Sequence, residues 1–347
     1  MAKPPSSAIG IDLGRHSFKA VLLQRRGADR FQLTHYAIRE VEGEPGNADE
    51  MAAHLKALLH DLGAKAKACA LTLSGADSFV RIVEQPAMAP QHLRDALRLN
   101  GSGLLNQDCR EMVLDCDVIP SSEPVAAGQG QEPGVRSYVV GGLPRRYVAL
   151  LEESSQKIKM TTSQLELGPV ALFNAFEYAH GETFANQAFV LVDIGHRSTS
   201  LIVGVKGELI LVRTLEYGGA QFTEELICHG AASPEEIFQY LAEEEVLTVE
   251  NARLSLTELV RSISSSIGFV EARRDTSIPR VFVSGGLACS ASILKLLTEE
   301  LQLPCDAWNP FERCEVALSG ARQAAFPQVF PLLGAACGAA SELLHGR

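Results

Sequence analysis

The chain has 347 residues and a formal net charge of −11, with 46% hydrophobic and 21% charged residues. That length allows two or three compact units with sizeable cores, and the balance is that of an ordinary folded protein, not a disordered or fibrous one. The acidic excess excludes a general affinity for nucleic acid or anionic membrane, since both need clustered Lys and Arg, and Arg145-Arg146 and Arg273-Arg274 are short pairs that read as solvated helix faces.

The eight cysteines contain no Cys-x-x-Cys pair and the nine histidines no His-x-x-x-His. Reduced thiols are expected, with neither a disulfide framework nor a zinc site. Met1 to Pro5 leads straight into a strand without a signal-peptide pattern. Phe330 to Ala340 is apolar but too short to span a bilayer, so a membrane would be reached only through a partner.

In chain order, Ala8 to Asp12, Phe18 to Leu23 and Phe31 to Ile38 predict three strands. Met51, Leu55, Leu58, Leu59 and Leu62 then line one face of a helix that Gly63 ends. Ala68 to Leu73 returns to strand. Pro86 to Pro90 reads as a turn, His92 to Leu99 as a helix, Glu111 to Ile119 as a strand, and Ser121 to Gly134 as a mobile loop. Ser137 to Gly142 (strand) and Pro144 to Ile158 (helix) complete what looks like an inserted subdomain.

After a short strand, Leu165 to Leu167, Pro169 opens a helix to about Ala179. The opening pattern then returns as three strands, Phe189 to Asp193, Ser200 to Val205 and Glu208 to Leu215, with Lys206-Gly207 as a hairpin turn. Helices follow at Phe222 to Cys228, from Ser233 with a Ser-Pro-Glu-Glu capping box, and at Ser255 to Arg273. Arg280 to Ser284 is a buried strand ending in Gly285-Gly286; helices at Ser290 to Leu301 and Val329 to Leu344 close the chain.

The repeat is the strongest signal. Asp12-Leu13-Gly14-Arg15-His16-Ser17 and Asp193-Ile194-Gly195-His196-Arg197-Ser198 lie 181 positions apart, each between apolar strands. Backbone N–H groups of such turns form an anion-binding concavity, and Gly14 and Gly195 let a phosphate approach the main chain. Asp12 and Asp193 are candidate Mg²⁺ holders, acting through the ion's waters. Lys19 offers a point charge to a phosphate. A lone Asp-x-Gly turn is a weak motif and is commonly structural; duplication is what lifts these two.

With these residues in place, the chain resembles the actin/FtsA superfamily, and within it the PilM proteins of type IV pilus assembly. There the first hairpin corresponds to phosphate-1, the second to phosphate-2, and Ser284-Gly285-Gly286 to the adenosine motif. Ser17 and Ser198 fall in the phosphate loops. Gln85-Pro86-Ala87-Met88, the helix Gln91 to Leu99 and Glu111 to Asp115 resemble the family's inserted 1C subdomain. Tyr217-Gly218-Gly219-Ala220-Gln221-Phe222-Thr223 resembles its Gly-Gly-x-x-x-Thr entry to subdomain 2B, and Leu303-Pro304 through Asn309-Pro310-Phe311 its closing segment.

The resemblance implies an α/β, actin-like (ribonuclease H-like duplicated) two-lobed fold. Its expected divisions are 1–85 and 161–187 for lobe 1 (1A), 86–160 for 1C, 188–216 and 263–326 for lobe 2 (2A), 217–262 for 2B, and 327–347 as a helix on lobe 1. It further implies ATP and Mg²⁺ in the cleft, at most weak ATPase activity, and Gly218 and Gly219 among the cofactor-binding residues. Glu166 falls near a water-orienting acid; an exposed acid on a strand edge is the plainer alternative. The implied partner is the N-terminal tail of a PilN-like membrane protein, held between 1A and 1C, with other pilus assembly proteins or self-association beside it. The implied location is the cytoplasmic face of the inner membrane.

The chain departs from the family pattern at Arg15, His16, His196 and Arg197, where small residues are usual, and at Leu287, where a third Gly is usual. A scaffold without nucleotide, an FtsA-like division protein and a small-molecule kinase of the same superfamily stay open as alternatives.

Overall fold

The computed structural model describes residues 5–27, 29–66, 68–75, 78–120, 134–228 and 233–346. Strands β1 (Ser7–Leu13), β2 (Ser17–Arg25) and β3 (Phe31–Glu40) form an antiparallel meander. Helix α1 (Ala48–Leu62) crosses back to β4 (Ala68–Leu73), which pairs parallel to β1. Asn47 caps α1 by accepting from the amides of Asp49 and Glu50, and Gly63 ends it in the left-handed conformation. Its buried stripe is Met51, Leu55, Leu58 and Leu62, the face the residue spacing predicts.

Next come β5 (Phe79–Pro86), α2 (Pro90–Leu105), β6 (Met112–Val118), β7 (Val135–Pro144) and α3 (Arg145–Lys157). The three strands form their own sheet in the order β5-β7-β6. The inserted unit therefore begins at Phe79, seven residues before the expected boundary at 86, because β5 pairs with β7 along its whole length. Helix α2 is longer than expected and breaks at Asn100, whose side chain accepts from the Gly103 amide and restarts the helix. The expected loop over 121–134 lies outside the described residues, except for Gly134.

Strand β8 (Thr162–Leu167) rejoins the first sheet beside β4, and helices α4 (Gly168–Ala179) and α5 (Gly181–Asn186) lead into the second lobe. There β9 (Ala188–Ile194), β10 (Thr199–Val205) and β11 (Glu208–Leu215) repeat the meander. Four helices follow: α6 (Gly219–Cys228), α7 (Pro234–Ala242), α8 (Val246–Ser255) and α9 (Thr257–Arg274). Ser233 caps α7 through the Glu236 amide, as the capping box predicts. Helix α9 runs unbroken across the expected 2B boundary at residue 262.

Strand β12 (Val281–Gly285), helix α10 (Ala291–Leu301) and β13 (Cys305–Ala307) finish the second sheet. With the short β14 (Glu315–Val316) at the edge of the first sheet, the orders β14-β3-β2-β1-β4-β8 and β11-β10-β9-β12-β13 show the duplication directly. Each lobe carries an antiparallel trio and then parallel additions on the far side of its first strand.

The chain returns to the first lobe earlier than the expected residue 327. Strand β14 (Glu315–Val316) pairs with β3, and Phe311 and Phe326 are buried in the same cluster as Phe31 and Leu33. The single closing helix expected over 329–344 is instead two: α11 (Gly320–Val329), continued by a short 3-10 turn to Leu332, and α12 (Gly334–His345), bent by 92° from it across Leu333. Among the described residues no single helix is long and apolar enough to cross a membrane. Helix α12 lies directly on β1: a Cβ on Gly10 would sit 2.0 Å from the Ala336 carbonyl oxygen, so this contact admits only glycine.

Candidate functional site

Both hairpins hold the same register. Asp12 pairs with Lys19, and Asp193 with Ser200. Lateral neighbours in a sheet share a face, so the first sheet carries one row: Lys19, Asp12, Thr72 and Glu166, on β2, β1, β4 and β8. With strands about 4.8 Å apart, Asp12 and Glu166 stand about 10 Å apart along it. The second sheet carries the corresponding row Ser200, Asp193 and Ser284.

Within the first row Lys19 Nζ donates to Asp12 Oδ2 at 3.0 Å, both side chains being largely buried. Lys19, expected to meet a phosphate, is here the partner of the candidate metal-holding acid. In the second row Ser284 Oγ donates to Asp193 Oδ1 at 2.8 Å. Burial pushes the Asp193 carboxyl above its ordinary range, and the nearby Asp12 charge adds to this while Ser284 and Lys19 oppose it. The Asp12 charge on the first hairpin therefore acts on Asp193 of the second.

Glu166 is buried, which excludes the plainer alternative of an exposed edge acid. One carboxylate oxygen accepts from Gln164 Nε2 at 2.6 Å; the other has no hydrogen-bond partner. Desolvation first, then the nearby Glu342 on α12, push its carboxyl from 4.5 to about 7, against the Gln164 bond. Beside it the fully buried Thr72 hydroxyl is also without a partner. An orphaned hydroxyl and carboxylate oxygen, next to each other on the cleft-side row, form a polar surface that a ligand or ordered water can satisfy. Sequence reading missed Thr72, since an isolated Thr in a strand carries no signal of its own.

The glycines hold the second hairpin in place. Gly285 has φ +88°, and a Cβ there would come within 2.2 Å of the Ile194 carbonyl oxygen. At Gly218 it would come within 2.6 Å of the His196 carbonyl oxygen. The α6 amides of Gly219 and Ala220 donate to the carbonyls of Gly195 and His196, at 2.9 and 2.8 Å. Gly218 and Gly219 thus clamp the turn that Gly195 and Ser198 close with their own 3.0 Å backbone bond. Gly286 borders open space, and Leu287 is buried in the second-lobe core. On the opposite hairpin, Gly14 packs over Lys19 Nζ, and Ser17 is buried at the start of β2.

The bulky residues divide between two places. His16 and His196, one from each hairpin, stack across the cleft with ring centroids 4.6 Å apart and planes 19° apart. Arg15 points the other way: its Nη1 donates to Glu44 Oε2 at 2.7 Å beside Gly75. It lies at the rim of an apolar pocket between the first lobe and the inserted unit, lined by Phe18, Met51, Leu73, Leu143, Tyr147 and Leu151. Arg197 is exposed.

Duplicated sheets, a helical crossing between lobes and facing aspartate hairpins define a two-lobed, actin-like protein. The family described as type IV pilus assembly protein PilM matches residues 166–342, about half of the chain. The chain belongs to that family. Its structure is similar to a solved "PilM-PilN type IV pilus biogenesis complex" with TM-score 0.80 and 22% identity, over 97% of this chain and 98% of that one. It also resembles a diol dehydratase-reactivating factor in nucleotide-free form (TM-score 0.54, 11% identity, 98% and 100% covered). The ethanolamine utilization protein EutJ from Carboxydothermus hydrogenoformans follows at TM-score 0.52 and 14% identity, with 97% and 90% covered. At these identities the likeness is one of fold.

Proposed function

We propose that the chain is a cytoplasmic scaffold of the type IV pilus inner-membrane complex, holding the N-terminal tail of a PilN-like membrane protein between its first lobe and inserted unit. The observation that carries this reading is the apolar pocket there, with the Arg15–Glu44 ion pair at its rim. Preformed apolar clefts with a few placed polar groups are where short segments gain orientation. Other pilus assembly proteins would meet the remaining surface, and the membrane would be reached through the tail. Helix α12 buries most of its residues against the first lobe, so this helix presents no free amphipathic face to a membrane.

In the same proposal ATP with Mg²⁺ occupies the cleft between the Asp12 and Asp193 rows, and lobe closure presents the partner surface as a population shift. Asp12 and Asp193 would hold the ion through its waters. Gly14, Ser17, Gly195 and Ser198 would border the phosphates, and Ser284 to Gly286 the adenosine. Glu166 would orient water for at most slow hydrolysis. The histidine stack favours a second reading, a scaffold whose cleft stays shut to nucleotide.

Titration calorimetry with a synthetic N-terminal peptide of a PilN-like protein tests the scaffold role. Ser78, at the pocket wall, provides the control: S78R plugs the pocket and should abolish binding to a protein whose melting curve is unchanged. Equal binding by wild type and S78R removes the pocket assignment. A rise in thermal midpoint with Mg-ATP separates the two readings of the cleft.

A further inference from the structure

Helix α8 buries little of what it has to bury. Of its aliphatic residues only Ala252 is buried, while Val246, Leu247 and Leu254 are 75%, 61% and 69% exposed. Single exposed aliphatics need no explanation, but three on one ten-residue helix form a patch. Leu247 and Leu254 are seven residues apart, two turns of helix, and so lie on one face; Glu250 sits between them on that face.

The surroundings are acidic. Residues 217–262 hold nine Glu against two basic residues, Arg253 and Arg261, and so carry most of the chain's negative excess. Arg253 is occupied by Glu299 and Glu300, and Arg261 faces Glu258. Glu243 to Glu245 precede the helix: Glu245 caps it through the amides of Leu247 and Thr248, and Glu244 pairs with Lys295. Aliphatic side chains framed by carboxylates complement a helix with an apolar stripe and a Lys- or Arg-rich flank. They repel an anionic bilayer.

We propose that the exposed face of α8 docks a cationic amphipathic helix of a partner protein. Leu247 and Leu254 meet the partner's apolar stripe, and Glu243 and Glu250 face its basic flank. The site lies on the second lobe and is independent of the pocket between the first lobe and the inserted unit.

The test uses the full chain and two fluorescent 14-residue helical probes, one of Leu and Lys and one of Leu and Glu, in fluorescence anisotropy. The expected result is saturable binding of the Leu/Lys probe, at least tenfold tighter than the Leu/Glu probe. V246Q/L247Q/L254Q should weaken it at least tenfold, and E243Q/E250Q severalfold with a shallower salt dependence. All five side chains are on the surface, so unchanged circular dichroism and thermal midpoint certify both variants. Binding unaffected by the triple substitution, or no binding at all, overturns the proposal. So does triple-sensitive self-association in sedimentation, which would assign the face to a second copy. Triple-sensitive binding to vesicles containing phosphatidylserine likewise overturns it, in favour of a lipid surface.

Discussion

The imidazole of His16 lies face to face with that of His196, joining the two hairpins at a centroid separation of 4.6 Å. Each ring comes from the loop that in its own lobe follows the repeated aspartate, Asp12 or Asp193, so the contact spans the cleft where the two halves of the duplication meet. Removing it should ease entry to the cleft. The double variant H16A/H196A is expected to show a larger rise in thermal midpoint with Mg-ATP than wild type. An identical response in both proteins would mean that the stack does not guard the cleft.

The same contact responds to acid. Burial first, then His16, Arg197 and Lys19, hold His196 below its ordinary 6.5, with Glu224 opposing. A base with a lowered folded pKa binds fewer protons when folded than when unfolded just below pH 6.5. Stability is therefore retained above 6.5 and lost as the pH falls below it. The interlobe distance, followed by energy transfer between dyes on the two lobes, should lengthen between pH 7 and 5.5 in wild type but not in H196A.

Glu166 gives the opposite sign. Its carboxyl is raised from 4.5 to about 7, so the folded chain holds a proton that the unfolded chain has released across that interval. Stability should fall as pH rises from about 4.5 to 7. E166Q should remove this slope and be more stable at pH 8 by about 1–3 kcal/mol. Denaturant melts at pH 5 and 8 measure both quantities; a variant no more stable at pH 8 would contradict the burial argument. If Glu166 orients water, E166Q should also slow any ATP turnover without weakening nucleotide binding.

Thr72 separates a structural hydroxyl from one used by a ligand. Its Oγ1 is buried and unpartnered. T72V keeps the shape and removes the orphan, so the free protein should be unchanged or stabilised by about 0.5–1 kcal/mol. A loss of about 1 kcal/mol or more would show that the hydroxyl is already satisfied by ordered water.

Gly10 tests the seat of the last helix. A Cβ there would lie 2.0 Å from the Ala336 carbonyl oxygen and 2.8 Å from the Ala340 amide nitrogen, both backbone atoms with little room to yield. G10A should cost about 2–4 kcal/mol. A change below about 0.5 kcal/mol in urea melts would show that α12 is not rigidly held on β1.

The hairpins were legible because their signal is local: an apolar strand, Asp-x-Gly and a second strand announce themselves within a dozen residues. The helix α1 and its end at Gly63 were legible for the same reason. The row through Thr72 and Glu166 was not, since lateral neighbours in a parallel sheet come from distant segments and leave no periodicity. The direction of Arg15 depends on Glu44, and the burial of Leu287 on the second-lobe core, neither of which the turn sequences encode. The domain edges at Phe79 and near Phe311 were misplaced because strand pairing decides them, and pairing partners are not written in a single strand.

The seating of α12 on Gly10 also bears on how the chain is made. The second lobe, from β9 to β13, is continuous in sequence, so its sheet can close as soon as it leaves the ribosome. The first lobe cannot: β1 waits for a helix synthesised some three hundred residues later. Long-range closure of this kind is slow and leaves apolar surface exposed meanwhile. The half that is translated first should thus be the half that matures last, open to chaperones until α12 arrives.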